Sequence, residues 1–167
     1  DVDAMMPVIR RLMPNAKRLG ALFAPAETNA AYSHDLLVKA AAKAGYELVS
    51  LPINVPADVA DAADALCAQG VDLICLPNSN LAGSSFPSIA KATQRAKIPV
   101  FGFLSSIAPQ GAAVVLSRDF YDMAVDAGVL AARVLRGESP ARDRRRNGTR
   151  VVGLALALCR STTSFGG

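Results

Sequence analysis

Apolar and polar positions along the chain fall into two rhythms, and the switch between them predicts the elements. Met5, Met6, Val8, Ile9, Leu12 and Met13 recur at helical spacing until Pro14-Asn15, where the pattern stops. Leu19 to Ala24 is then a short apolar run closed by Pro25, with the length and content of a buried strand. A helical stripe follows through Leu36, Leu37, Ala40, Ala41 and Ala44, with Lys39 and Lys43 opposite and Gly45 as its stop. Tyr46 to Ile53 reads as the second strand. Pro56-Ala57-Asp58 opens a third helix whose Val59, Ala62, Ala63, Leu66 and Cys67 turn inward while Asp58, Asp61 and Asp64 stay in water. After Gly70, Val71 to Leu76 is nearly all apolar, as a strand covered on both faces should be.

Residues 77–85 are polar and read as a loop, and Phe86-Pro87 starts a helix through Ile89, Ala90 and Thr93. Val100 to Phe103 is the fourth strand, Leu104-Ser105-Ser106 its exit, and Ala113 to Leu116 a fifth strand after Gly111. Asp119 caps a long helix bearing Phe120, Ala124, Ala127, Gly128, Ala131, Val134 and Leu135, stopped by Gly137 and Pro140. Strands separated by crossover helices predict an α/β fold, a Rossmann-like, flavodoxin-like three-layer sandwich. Its parallel sheet of about five strands is expected in the order 2-1-3-4-5.

That order points to a site. Ligands of open α/β sheets lie beyond the carboxyl ends of the strands, at the switch point, here between the first and third strands. The ligand-binding candidates at that rim are Glu27, Thr28 and Asn29 after the first strand, Asn78, Ser79, Asn80 and Ser84 after the third, and Ser105 and Ser106 after the fourth. Pro, Thr and Asn also make ordinary turns and caps, so no one loop carries the functional reading and only their convergence would. Amides, hydroxyls and one carboxylate suit hydrogen bonding to a small polar ligand, and N–H groups after Ser84 could receive an anion.

Composition narrows the class. The 167 residues, 51% of them hydrophobic, are enough for one domain with a sizeable core. Aromatic residues make up only 5%, so helices should approach the sheet closely through small side chains. The net charge of +4 is local: residues 1–140 carry 12 basic against 13 acidic side chains, while residues 141–167 add six arginines against Asp143. A neutral body predicts no nucleic-acid partner. Cys67, Cys75 and Cys159 form no C-x-x-C pair and have no histidine near them, so no metal or other cofactor is expected. His34, on the second helix, reads as a surface residue. The longest apolar run, Val151 to Cys159, falls far short of the about 20 residues that span a bilayer, so no membrane insertion is expected. Neither a G-x-S-x-G elbow nor a G-x-G-x-x-G or G-K-[ST] phosphate loop occurs, which argues against an enzyme.

Several segments taken in order carry a family resemblance. Leu12-Met13-Pro14-Asn15-Ala16-Lys17-Arg18-Leu19-Gly20, Pro25-Ala26-Glu27-Thr28-Asn29, Ala42-Lys43-Ala44-Gly45-Tyr46-Glu47-Leu48, Lys97-Ile98-Pro99-Val100-Phe101 and Val134-Leu135-Arg136-Gly137-Glu138-Ser139-Pro140 resemble the substrate-binding proteins of bacterial ABC transporters, in the group with tryptophan- and tyrosine-binding members. The resemblance implies one lobe of a periplasmic-binding-protein fold over residues 1–140, gripping a small solute such as an amino acid at an interlobe cleft. It also implies a transporter permease as partner and a periplasmic or lipid-anchored location for the full-length parent. Two departures stand out. Ala30 replaces the serine that usually continues the P-x-E-x-N pattern, and Asn78-Ser79-Asn80 lacks the acidic residue many members carry, leaving Glu27 as the candidate partner of an ammonium group. Residues 141–167 are expected to be a basic and apolar tail, either disordered or the product of a shifted reading frame. The alternatives are the ligand-sensing lobe of a transcription regulator and, behind it, a flavodoxin-like enzyme.

Overall fold

The computed structural model describes residues 2–117 and 120–139. Its order is α1 (Val2–Leu12), β1 (Arg18–Phe23), α2 (Thr28–Ala44), β2 (Glu47–Pro52), α3 (Val59–Ala68), β3 (Leu73–Leu76), α4 (Asn80–Ser84), α5 (Phe86–Ala96), β4 (Val100–Gly102), β5 (Val114–Val115) and α6 (Phe120–Leu135), with 3-10 turns at Pro56–Asp58 and Ser105–Gln110. The strands are all parallel and lie in the order β2-β1-β3-β4-β5, as the crossover spacing predicts.

β1 sits inside the sheet, between β2 and β3, and its residues alternate between two cores. Leu19 and Ala21 face the side built by Met5, Met6 and Ile9 of α1 and Leu37, Ala40 and Ala41 of α2. Leu22 faces the other side, with Val59, Ala63 and Leu66 of α3 and Phe86 and Ile89 of α5. Gly20 is a contact point: a Cβ there would lie 3.1 Å from Leu66 and from Val71. The missing side chain therefore lets α3 settle on the sheet, the close approach that an alanine-rich, aromatic-poor composition predicts.

Three details differ from the pattern read along the chain. β3 starts at Leu73, because Asp72 turns its carboxylate back to the entrance of β1. The polar loop after β3 contains a helix, α4, too short to show periodicity. On α6, Ala124, Ala127, Gly128, Ala131, Val134 and Leu135 are exposed rather than packed, Leu135 to 87%. Amphipathicity shows that a face needs cover and not what covers it. The expected Asp119 cap, the Phe120 side chain, Pro140 and the tail 141–167 lie outside the described residues.

Candidate functional site

The strand order brings the exits of β1, β3 and β4 next to one another, and side chains link them. The chain leaves β1 through a turn closed by Glu27 N donating to Ala24 O (3.1 Å), and Glu27 takes the N-cap position of α2 with extended backbone. Its carboxylate does not cap its own helix. It crosses to the next loop, where Oε2 accepts from Asn80 N (2.7 Å) and Oε1 from Leu81 N (2.8 Å). Asn29 Nδ2 donates to Asn78 O (3.1 Å), a second link between the same two loops.

α4 draws on this arrangement. Its first N–H groups would otherwise be orphans, and a helix of five residues containing Asn, Gly and Ser has little stability of its own. Asn80 and Leu81 donate to Glu27, Ala82 N donates to Ser79 Oγ (3.1 Å), and Gly83 N starts the helical ladder on Ser79 O (3.0 Å). Ser79 is fully buried and its hydroxyl serves as this cap. Ser84 Oγ donates back to Leu81 O (3.1 Å) at the other end of α4. The third exit joins through Gly83, where a Cβ would stand 2.9 Å from Leu104 Cδ1. Glycine thus lets the Leu104 loop lie against α4, and Ser105 and Ser106 follow at once, exposed.

The nine residues read from the sequence therefore divide in two. Thr28, Asn29, Asn78, Asn80, Ser84, Ser105 and Ser106 belong to exposed positions around one rim, whereas Glu27 is half-buried and Ser79 fully buried, both spent on holding α4. Tyr32, one turn beyond Thr28 on the same face of α2, is 66% exposed.

His34 is not the free surface residue expected. It is half-buried, stacked on Phe23 at 3.9 Å between ring centroids, with Nε2 at 2.8 Å from Ser50 Oγ. Burial holds its pKa below the usual 6.5, and Asp35 beside it pulls weakly the other way. Cys75 is fully buried and its thiol is pushed up to about 12, which makes it an inert core residue. Cys67, half-buried near Asp64, is also raised by burial. Among the described residues no three His, Cys, Asp or Glu side chains cluster to hold a metal ion, and no helix is long and apolar enough to cross a membrane.

A cavity of about 350 Å³ opens at the opposite edge of the sheet, lined by Leu12, Met13, Pro14, Asn15, Ala16 and Asp72. Its one charged group is already engaged: Asp72 Oδ2 accepts from Lys17 N (2.7 Å) and Arg18 N (2.8 Å). The rim residues read from the sequence lie at the carboxyl edge, away from this cavity.

The family described as ABC transporter substrate binding protein matches residues 1–147. A tyrosine-binding protein of Clostridioides difficile (strain R20291) is 30% identical over 138 residues, 83% of this chain and 40% of that protein. A Streptococcus pneumoniae ABC domain solved in complex with L-Trp superposes with a TM-score of 0.74 at 26% identity, over 84% of this chain and 47% of that one. A conserved domain protein of Vibrio cholerae gives 0.75 at 32% identity, over 83% and 47%. The chain thus spans less than half the length of each of these relatives.

Proposed function

Because the chain belongs to the ABC transporter substrate-binding protein family, we propose that it is a ligand-binding lobe that offers the rim of its sheet to a small polar solute, an amino acid such as tyrosine or tryptophan by analogy with its relatives. The observation that carries this reading is the linked set of loops beyond β1, β3 and β4, where Thr28, Asn29, Asn80, Ser105 and Ser106 are exposed around one switch point. Amide and hydroxyl groups on loops seated on a rigid sheet bind polar ligands without needing an activated nucleophile, so we read the lobe as binding and not catalytic.

The rim is open, so closure needs a second body. The uncovered apolar residues of α6, with Val129 at 56% and Leu135 at 87% exposure, support a full-length parent in which another lobe lies against this one. The parent would work outside the cytoplasm, periplasmic or lipid-anchored, and deliver its ligand to a permease. Membership in a transporter family weighs against the sensor lobe of a transcription regulator.

Isothermal titration calorimetry and thermal melting with L-tyrosine, L-tryptophan and ribose test the reading. Either aromatic amino acid at about 100 times its Kd should add about 2.7 kcal/mol of stability, with ribose inert. Binding of ribose alone would overturn the amino-acid assignment.

A further inference from the structure

We propose that Glu27 is the positioning residue of the rim: its carboxylate, by bridging from the β1 exit to the first two N–H groups of α4, sets the place of the other two loops, and it does not serve as the counter-charge of the ligand's ammonium group. The inference rests on the ligand-binding reading above for its consequence and on hydrogen-bond geometry for its cause. Each carboxylate oxygen takes one N–H, at 2.7 and 2.8 Å, from residues 53 and 54 positions away. These are charge-assisted bonds to donors with no other acceptor in the helix. A helix so short forms only where its ends are fixed from outside, and the carboxylate holds two of the first three N–H groups of α4.

α4 sits between the other rim groups. Asn78 and Asn80 flank its start, Ser84 ends it, and Gly83 seats Leu104, from which Ser105 and Ser106 emerge. The N-terminus of α4 is also closed to a ligand anion, because its first three N–H groups are taken by Glu27 and Ser79. The ligand then meets neutral amides and hydroxyls on this lobe, and discrimination between amino acids depends on how firmly those groups are held.

The test uses the full chain with Glu27→Gln and Glu27→Ala. Amide hydrogen exchange without ligand comes first. Glutamine keeps one acceptor oxygen, so Glu27→Gln should speed exchange of Asn80 or Leu81 by about tenfold or more, and Glu27→Ala both. Unchanged exchange in both variants overturns the proposal. Calorimetry with L-tyrosine and its desamino analogue comes second. A positioning role weakens both by the same factor, about threefold to tenfold. A loss confined to L-tyrosine makes Glu27 the direct ammonium partner and overturns it. Asp72→Asn, which loosens the same sheet at its other edge, should leave both affinities within about twofold; an equal loss there reduces Glu27 to general stability and also overturns it. Should the unmodified chain bind neither probe, the ligand reading fails while the exchange result still decides the positioning role.

Discussion

The two ends of β1 use one chemical device for different purposes. At the amino end, Asp72 accepts the N–H groups of Lys17 and Arg18, at the very start of the strand. At the carboxyl end, Glu27 accepts those of Asn80 and Leu81 from a neighbouring loop. In both places a carboxylate holds two successive backbone donors across the sheet. The surroundings differ. Around Asp72, Arg18 pairs with Glu47 (Nε to Oε2, 3.0 Å; Nη2 to Oε1, 3.1 Å) and donates to Gln69 O, so the polar groups there answer one another. Around Glu27, Thr28, Asn80, Ser105 and Ser106 turn to solvent. A saturated edge stabilises, and an edge with spare donors and acceptors can bind.

Loosening β1 itself should disturb both edges at once. Leu22→Ala removes a fully buried side chain from the α3/α5 core and should cost about 3 kcal/mol, read by urea denaturation. Both edges should then lose amide protection together. Asp72→Asn should separate them. Hydrogen bonds to a charged acceptor are worth more than neutral ones, but this carboxylate is largely in water, so the loss should be under about 1 kcal/mol.

The Asp72 carboxyl is held below its ordinary value, first by Arg18 N–H and then by Lys17 N–H. Its contribution is complete above the unfolded value of about 3.9 and is lost as pH falls through the lower folded value. Acid denaturation curves of the unmodified chain and Asp72→Asn should converge in that range, with no gain for the variant at neutral pH.

The scaffold was legible because its signals are long. Helices α2, α3 and α5, of 17, 10 and 11 residues, separate the first four strands and leave few topologies, and the order around β1 followed from crossover length. The rim was legible as a place and not as a circuit. That Glu27 belongs to α4 depends on a contact 53 residues away and on a helix too short for periodicity, so the charge looked free to meet a ligand. Ser79 looked like a ligand group for the same reason, whereas its hydroxyl is consumed inside α4. α6 was legible as a helix, but its spacing did not show that its apolar positions stay exposed among the described residues.

Smaller effects sharpen the difference at the carboxyl edge. Thr28→Ala and Asn80→Ala each remove an exposed rim group whose loss leaves no buried vacancy, so stability should change by less than about 0.5 kcal/mol. L-tyrosine affinity should fall about threefold to tenfold in each, measured by calorimetry. The two substitutions together should add.

The smallest expected effect also gives the cleanest reporter. His34 is the one histidine in the chain, so its ring protons are unambiguous in a proton NMR titration. Burial against Phe23 disfavours the imidazolium, and the adjacent Asp35 offsets only part of that, so the midpoint should lie below 6.5. Between the unfolded and the lowered folded value the unfolded chain binds more protons, so stability falls as pH drops through that window. Much of the ring remains wet, which limits the loss to a few tenths of a kcal/mol, about the worth of an exposed charge interaction. His34→Gln should flatten that slope. Because Phe23 ends β1 at the rim, the His34 ring protons should shift when L-tyrosine is added and stay still on Asp72→Asn; the reverse would show that the two edges are not separate.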